Sequence, residues 1–178
     1  ESRFTLFRER TEIGRFKMPL VGDHNVKNAV AALAACLRVG VPVEKLQQGL
    51  ASFEPPKRRM EVIYEADGIT VVDDFAHHPT AVKATLQAVR KKYPERRIIA
   101  CFEPRSNSTT RNIFQQELKL SLAEADIVAI GVVNRPDRYK PEELLNVERL
   151  AEDLQLLGKK AMFVPQEQAW QPLWSQLI

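Results

Sequence analysis

The chain is predicted to be an α/β protein with a Rossmann-like, mostly parallel sheet covered by helices on both faces. A partial hairpin and helical tail of another domain precedes it. Three observations point there. After an apolar run at Ile69–Val72, short continuous apolar runs recur at Ile98–Phe102, Ile127–Ile130 and Ala161–Val164, which is how strands buried on both faces read. Amphipathic stretches lie between the later runs: Val82, Leu86 and Val89, then Phe114, Leu118 and Leu122, then Val147, Leu150 and Leu154. The links are short, so strand-helix-strand units wound by right-handed crossovers are expected.

Before this repeat the pattern differs. Phe4, Leu6, Ile13 and Phe16 alternate around Glu12 and Gly14, which suggests a hairpin. From about His24, Val26, Val30, Leu33 and Leu37 follow helical spacing until Gly40 and Pro42 end the element. A shorter helix is expected from Val43 to Leu50. Pro55-Pro56 cannot continue a helix and stiffen the chain, so the domain boundary is set there, with 1–55 as a remnant and 56–178 as a complete domain. A strand to about Ile63 or Tyr64 and a turn at Asp67-Gly68 precede the first apolar run. Trp170, Leu173, Trp174 and Leu177 place a last helix at the end.

With 178 residues there is room for one full domain and part of another. A hydrophobic fraction of 44% with 28% charged residues argues against disorder. The net charge of +3 comes from residues of both signs spread along the chain, so no block exists to grip nucleic acid. No apolar stretch reaches the roughly 18–20 residues that cross a bilayer, and a cytoplasmic location without membrane partners is expected. Cys36 and Cys101 sit in apolar runs and read as small buried hydrophobes.

Open α/β sheets bind ligands beyond the carboxyl ends of their strands. The expected loops there are polar: Asp73 to Pro79, Glu103 to Asn107, and Asn134 to Arg138. Four constellations could carry chemistry. Asn25 and Asn28 share one face at a helix start and could pair with a purine edge, although Asp23 or Asn25 as a plain cap is the simpler reading. Arg58 and Arg59 after the double proline could bridge phosphate oxygens, or form a solvated basic turn. Asp73-Asp74-Phe75-Ala76-His77-His78-Pro79 could bind a ribose hydroxyl and orient an amine or carboxylate. Alternatively, one Asp and one His there only satisfy backbone groups. A zinc site is disfavoured because no distant partner has ligand spacing. Finally, Arg105 and Arg111 flank Ser106, Asn107, Ser108, Thr109 and Thr110. Forked Arg contacts and the amides of a following helix could hold a carboxylate, or the segment is a helix cap with solvated arginines. No GxxxxGKS or GxxxxGKT loop, GxGxxG turn or GxSxG elbow is present.

In this order, Gly22-Asp23-His24-Asn25 through Asn28, Arg58-Arg59-Met60-Glu61 and Asp73 to Thr80 resemble the Mur ligases that build cell-wall precursors. Glu103-Pro104-Arg105-Ser106-Asn107 is most similar to the murein peptide branch of that family. The resemblance runs from about Pro19 to Pro165. It implies an ATP-dependent ligase that joins UDP-N-acetylmuramate to the tripeptide L-alanyl-γ-D-glutamyl-meso-diaminopimelate in peptidoglycan recycling, through an acyl phosphate. The L-alanine-adding branch and a non-catalytic nucleotide- or peptide-binding module are the alternatives. By resemblance, His24, Asn25, Asn28, Arg59 and Asp74 bind the nucleotide, while Phe75, His77, His78, Arg105, Ser106, Asn107 and Arg111 face the peptide. Where the alanine-adding branch has a second substrate-gripping Arg, this sequence has Thr109. ATP and Mg2+ are the implied cofactors. The phosphate loop, most of the Mg2+ site and the UDP-sugar domain are expected before Glu1, so these residues alone should be an inactive monomer.

Overall fold

The computed structural model describes residues 1–165 and Trp170. The chain falls into two compact units, Glu1–Phe75 and Ala76–Ile178.

In the first unit, β1 (Ser2–Arg8) pairs antiparallel with β2 (Thr11–Met18). The turn lies at Glu9-Arg10, with Glu9 at φ 56°, rather than around Glu12 and Gly14. Gly14 is instead a strand residue, where a Cβ would come within 3.0 Å of Val43 Cγ1. Its missing side chain lets the hairpin settle on the helix that carries Val43. Helices α1 (Asp23–Arg38) and α2 (Val43–Ala51) follow, and Phe16, Leu33 and Leu46 form the small core they share with the hairpin. Of the predicted stripe on α1, Leu33 is buried, as is Ala29, while Val26, Val30 and Leu37 are partly covered. The capping expectation fails. The N-cap is Gly22, with no side-chain hydrogen bond, and the Asn25 amide instead donates backward to the Val21 carbonyl at 2.8 Å.

A second hairpin, β3 (Glu61–Ala66) and β4 (Ile69–Asp73), turns through Asp67 and Gly68 at φ 51° and 75°. These left-handed angles are those of a two-residue type I′ turn, for which Asp-Gly is favoured. The pairing slips between Val62 and Tyr64.

The second unit is the predicted α/β fold. Strands β5 (Ile99–Phe102), β6 (Ile127–Ile130) and β7 (Lys160–Phe163) form a parallel sheet in that order. Helix α3 (Pro79–Lys92) precedes β5, while α4 (Gln115–Leu122) and α5 (Val147–Leu156) fill the two crossovers. All four residues of the central strand β6 are buried, which explains its unbroken apolar sequence. Val128 and Ile130 join a core with Val82, Leu86, Leu118, Leu122, Leu150 and Leu154 from the three helices. Ile127 and Ala129 alternate onto the opposite face and are equally covered. Cys101 on β5 is exposed as a residue, although burial of its thiol pushes the pKa up to about 12, and Cys36 is partly covered, so neither is wholly the buried hydrophobe expected. Of the proposed last helix, only Trp170 is among the described residues; Leu173, Trp174 and Leu177 lie outside them.

The amino-terminal ends of β5 and β6 are tied by Asp126. Its Oδ2 accepts from the Ile98 amide and from Arg90 Nη2, both at 2.7 Å. Partial burial pushes the carboxyl pKa up, but the Ile98 and Arg90 hydrogen bonds and the positive charge of Arg90 outweigh it and hold the group below the usual carboxylate range. A depressed folded pKa contributes stability above the unfolded value of about 4, and that stability is lost as pH falls through the folded one. The carboxylate is substantially solvated, so Asp126→Asn is expected to cost only about 1 kcal/mol at neutral pH. The gap between the urea midpoints of the two proteins should narrow as pH falls below about 4. An equal gap at pH 7 and pH 3 would remove the charge from the account.

Candidate functional site

The first unit gathers one constellation at the end of β4. The turn before β3 has two left-handed residues, Arg58 at φ 60° and Met60 at φ 54°. Such angles are strained for side chains of this size and persist only when neighbours fix them. The Glu61 carboxylate accepts from the Arg58 amide at 2.7 Å, and Asp74 Oδ2 accepts from the Met60 amide at 2.8 Å. The Arg58 carbonyl accepts from the Phe75 amide at 2.8 Å, and Arg58 Nε donates to Asp73 at 3.1 Å. Both guanidinium groups lie over the Phe75 ring, with Cζ 5.5 Å from its centroid for Arg58 and 5.8 Å for Arg59. Arg59, Asp74 and Phe75 are therefore brought together, and one oxygen of Asp74 is committed to the turn. On α1, His24 and Asn25 are partly covered and Asn28 is exposed. The Asn25 amide nitrogen is spent on Val21, leaving its side-chain carbonyl oxygen without a hydrogen bond among the described residues.

The second unit builds a rim. Because β5 and β6 are parallel neighbours, the loops that follow them leave the sheet at the same end, and the Asn134 amide donates to the Pro104 carbonyl across them at 3.0 Å. Arg135 takes a left-handed φ of 51° there. Within the first loop Arg105 forms an ion pair with Glu103 at 2.6 Å and remains mostly exposed. Ser106 is turned inward: its carbonyl accepts from the Thr109 and Thr110 amides, and its hydroxyl is 2.7 Å from Thr109 Oγ1. Thr109 is fully buried. Asn107 is exposed, and its carbonyl accepts from the Thr110 hydroxyl at 3.4 Å.

Arg111 is placed differently from Arg105. Its Nη2 donates to Glu143 at 3.3 Å, its Cζ lies 5.7 Å from the Tyr139 ring centroid, and its backbone bridges to Leu144. The Leu145 amide donates to the Thr110 carbonyl at 3.0 Å, and Asn112 donates to the Glu142 carbonyl at 2.7 Å. Arg111 thus staples the loop to the segment before α5. Its Nε is buried without a hydrogen-bond partner. The expected helix amides are not at this loop, because a short 3-10 turn (Asn112–Phe114) intervenes and α4 starts only at Gln115.

His78 opens α3. Its Nδ1 accepts from the Thr80 amide at 3.3 Å, and its ring meets Phe114 edge-on at 4.7 Å between centroids. An accepting Nδ1 assigns the proton of the neutral ring to Nε2. One Asp and one His of the Asp73–Pro79 turn therefore do satisfy backbone groups, namely Asp74 and His78. His77, next to it, is partly covered. Gly131 permits a close approach on the same rim, since a Cβ would fall 3.3 Å from both Glu103 Cγ and Trp170 Cζ2.

Sequence spacing did not reveal Glu103, Phe114, Tyr139, Glu143 or the Met60 amide as partners. Glu103 stood out as part of the Glu103–Asn107 motif and Phe114 as part of a helical apolar stripe, but neither signal named its partner. Among the described residues, no three His, Cys, Asp or Glu side chains cluster so as to hold a metal ion. No helix among them is long and apolar enough to cross a membrane.

The family model for the Mur ligase, glutamate ligase domain matches residues 58–174. A UDP-N-acetylmuramate-L-alanine ligase of Desulfitobacterium hafniense is 36% identical over 92% of this chain and 36% of its own length. The solved murein peptide ligase of Psychrobacter arcticus is 31% identical, with a TM-score of 0.62 over 93% of this chain and 34% of that one. The solved UDP-N-acetylmuramate-alanine ligase of Thermotoga maritima, at 24% identity, shares the fold with a TM-score of 0.72 over 94% of this chain and 34% of that one. The chain spans about a third of the length of these relatives. With its parallel sheet and the family match over most of its length, the chain belongs to the Mur ligase family and carries the glutamate ligase domain.

Proposed function

We propose that the chain is part of an ATP-dependent ligase that joins the muramyl carboxyl of UDP-N-acetylmuramate to the amine of L-alanine. The observation that carries this reading is the alignment of nearly the whole chain with a ligase whose acceptor is L-alanine. The γ-phosphoryl group of ATP passes to the carboxylate, giving an acyl phosphate and ADP. The amine then attacks the acyl carbon, phosphate leaves, and the amine proton is lost. Catalysis of this kind is mainly positioning and charge neutralisation.

In this reading Arg59 meets the phosphates and Asp74 the ribose, while His24, Asn25 and Asn28 line the adenine. His77 and His78 face the incoming amine and Arg105 its carboxylate. Ser106, Asn107 and Arg111 belong to the acceptor's surroundings, Ser106 and Arg111 by holding the loop, whereas Phe75, expected from the resemblance to face the peptide, packs against Arg58 and Arg59. The functional boundary is placed at residues 55 and 56, just before the family match begins. Mg2+ bound with ATP would neutralise phosphate charge, and among the described residues no His, Cys, Asp or Glu cluster is placed to hold it. Turnover requires a phosphate-binding loop that these residues lack, and the active protein is taken as a cytoplasmic monomer.

Three observations favour a second acceptor, the cell-wall tripeptide used in recycling. The Glu103–Asn107 sequence and the 31% identity to a murein peptide ligase support it. Thr109, buried against Ser106, offers no side-chain cation to a small carboxylate. The full-length ligase, assayed for ADP release with UDP-N-acetylmuramate and either acceptor, is expected to give the higher kcat/KM with L-alanine. A preference for the tripeptide transfers the assignment to the second reading, and no product with either overturns both.

A further inference from the structure

We infer that Phe75 is a positioning residue on the nucleotide side, the platform that holds the Arg59 guanidinium ready for phosphate oxygens. The inference rests on the proposed phosphate role of Arg59.

The Arg58–Met60 turn has two strained residues flanking Arg59 at its apex. Glu61, Asp74 and the Phe75 amide each secure a backbone group of that turn, at 2.7, 2.8 and 2.8 Å. Three fastenings on the two residues that flank Arg59 restrict the main chain, so the direction of the Arg59 side chain is the main variable that remains. The Phe75 ring limits it. Two guanidinium groups lie within about 6 Å of that ring centroid, the range in which a ring face attracts a cation.

The two cations are not equivalent. Arg58 is neutralised by Asp73 at 3.1 Å, whereas Arg59 forms no ion pair among the described residues. Packing two like charges beside one ring is unfavourable unless an anion is to be met, and only one of the two carries a counter-charge. Both guanidinium groups are exposed, and Arg59 is the one that has an aromatic face but no carboxylate partner among the described residues. A ring serves this purpose better than an aliphatic side chain, because it attracts the cation without competing for its N–H donors, all of which stay available to phosphate. The division of the chain agrees: Phe75 packs with Arg58 and Arg59 in the first unit, and every other proposed acceptor residue lies in the second.

The test uses the 178-residue chain with labelled arginine, followed by NMR, with inorganic pyrophosphate as the probe. In the unsubstituted protein the Arg59 Cδ protons should be shifted upfield by the ring, and pyrophosphate should move the Arg59 signals. Phe75→Leu should abolish the upfield shift and weaken pyrophosphate about two- to fivefold. Phe75→Tyr should restore both while thermal midpoints stay level. No upfield shift in the unsubstituted protein overturns the platform, whatever the folding of the variants. If Arg59→Gln weakens pyrophosphate but Phe75→Leu does not, the platform fails and the phosphate role stands. If Arg59→Gln changes nothing, or pyrophosphate does not bind, the phosphate role fails and the inference with it.

Discussion

Leu118→Ala is expected to destabilise the Ala76–Ile178 unit by about 3 kcal/mol, the cost of removing a fully buried leucine from a core that cannot close the gap. Leu118 is completely covered and belongs to the cluster shared by α3, α4, α5 and the sheet. For a unit of this size the loss corresponds to a fall of roughly 15 °C in thermal midpoint. The loss also reaches the site, because α4 follows directly from the loop that carries Arg105 and from Phe114, against which His78 packs. Chemical denaturation checks the value. A change below about 1 kcal/mol would mean that α4 is not part of a common core.

Arg105→Ala in the full-length ligase is expected to raise the KM for the acceptor about thirty- to hundredfold, on the order of 2–3 kcal/mol for a lost charged contact. The KM for ATP should stay within about twofold, since the nucleotide contacts are proposed for Arg59 and Asp74 rather than for Arg105. Arg105 is the exposed arginine of its loop, and its partner Glu103 lies two residues away on the same rim. Arg111 is engaged by Glu143 and Tyr139, so Arg111→Ala should lower stability as well as acceptor binding. Steady-state kinetics with acceptor and ATP varied separately makes the distinction. An unchanged acceptor KM in Arg105→Ala would remove that residue from the site.

The parallel sheet was legible because β6 is buried on both faces, and such a strand has no reason to alternate polar with apolar residues. The Asp67-Gly68 turn was legible because its backbone angles demand those residue types. What spacing could not show were partners set by folding. Arg111 meets Glu143 thirty-two residues on, and Met60 meets Asp74 fourteen residues on, contacts that no local pattern encodes. The helix start at Gly22 was misread for a related reason. Asp23 and Asn25 are good capping residue types, but the cap position fell one residue earlier, on a glycine at φ 103°. The acceptor is the least legible feature, because an L-alanine ligase and a murein peptide ligase each match over nine-tenths of the chain.

The account depends on acceptor binding at the carboxyl ends of β5 and β6. Amide NMR of the 178-residue chain titrated with L-alanine, and separately with the tripeptide, measures this directly. Shifts concentrated at Glu103–Arg111 and His77–Thr80 are predicted with whichever acceptor binds. Shifts centred instead on Ile98, Asp126 and Lys159, at the opposite end of the same strands, would contradict it.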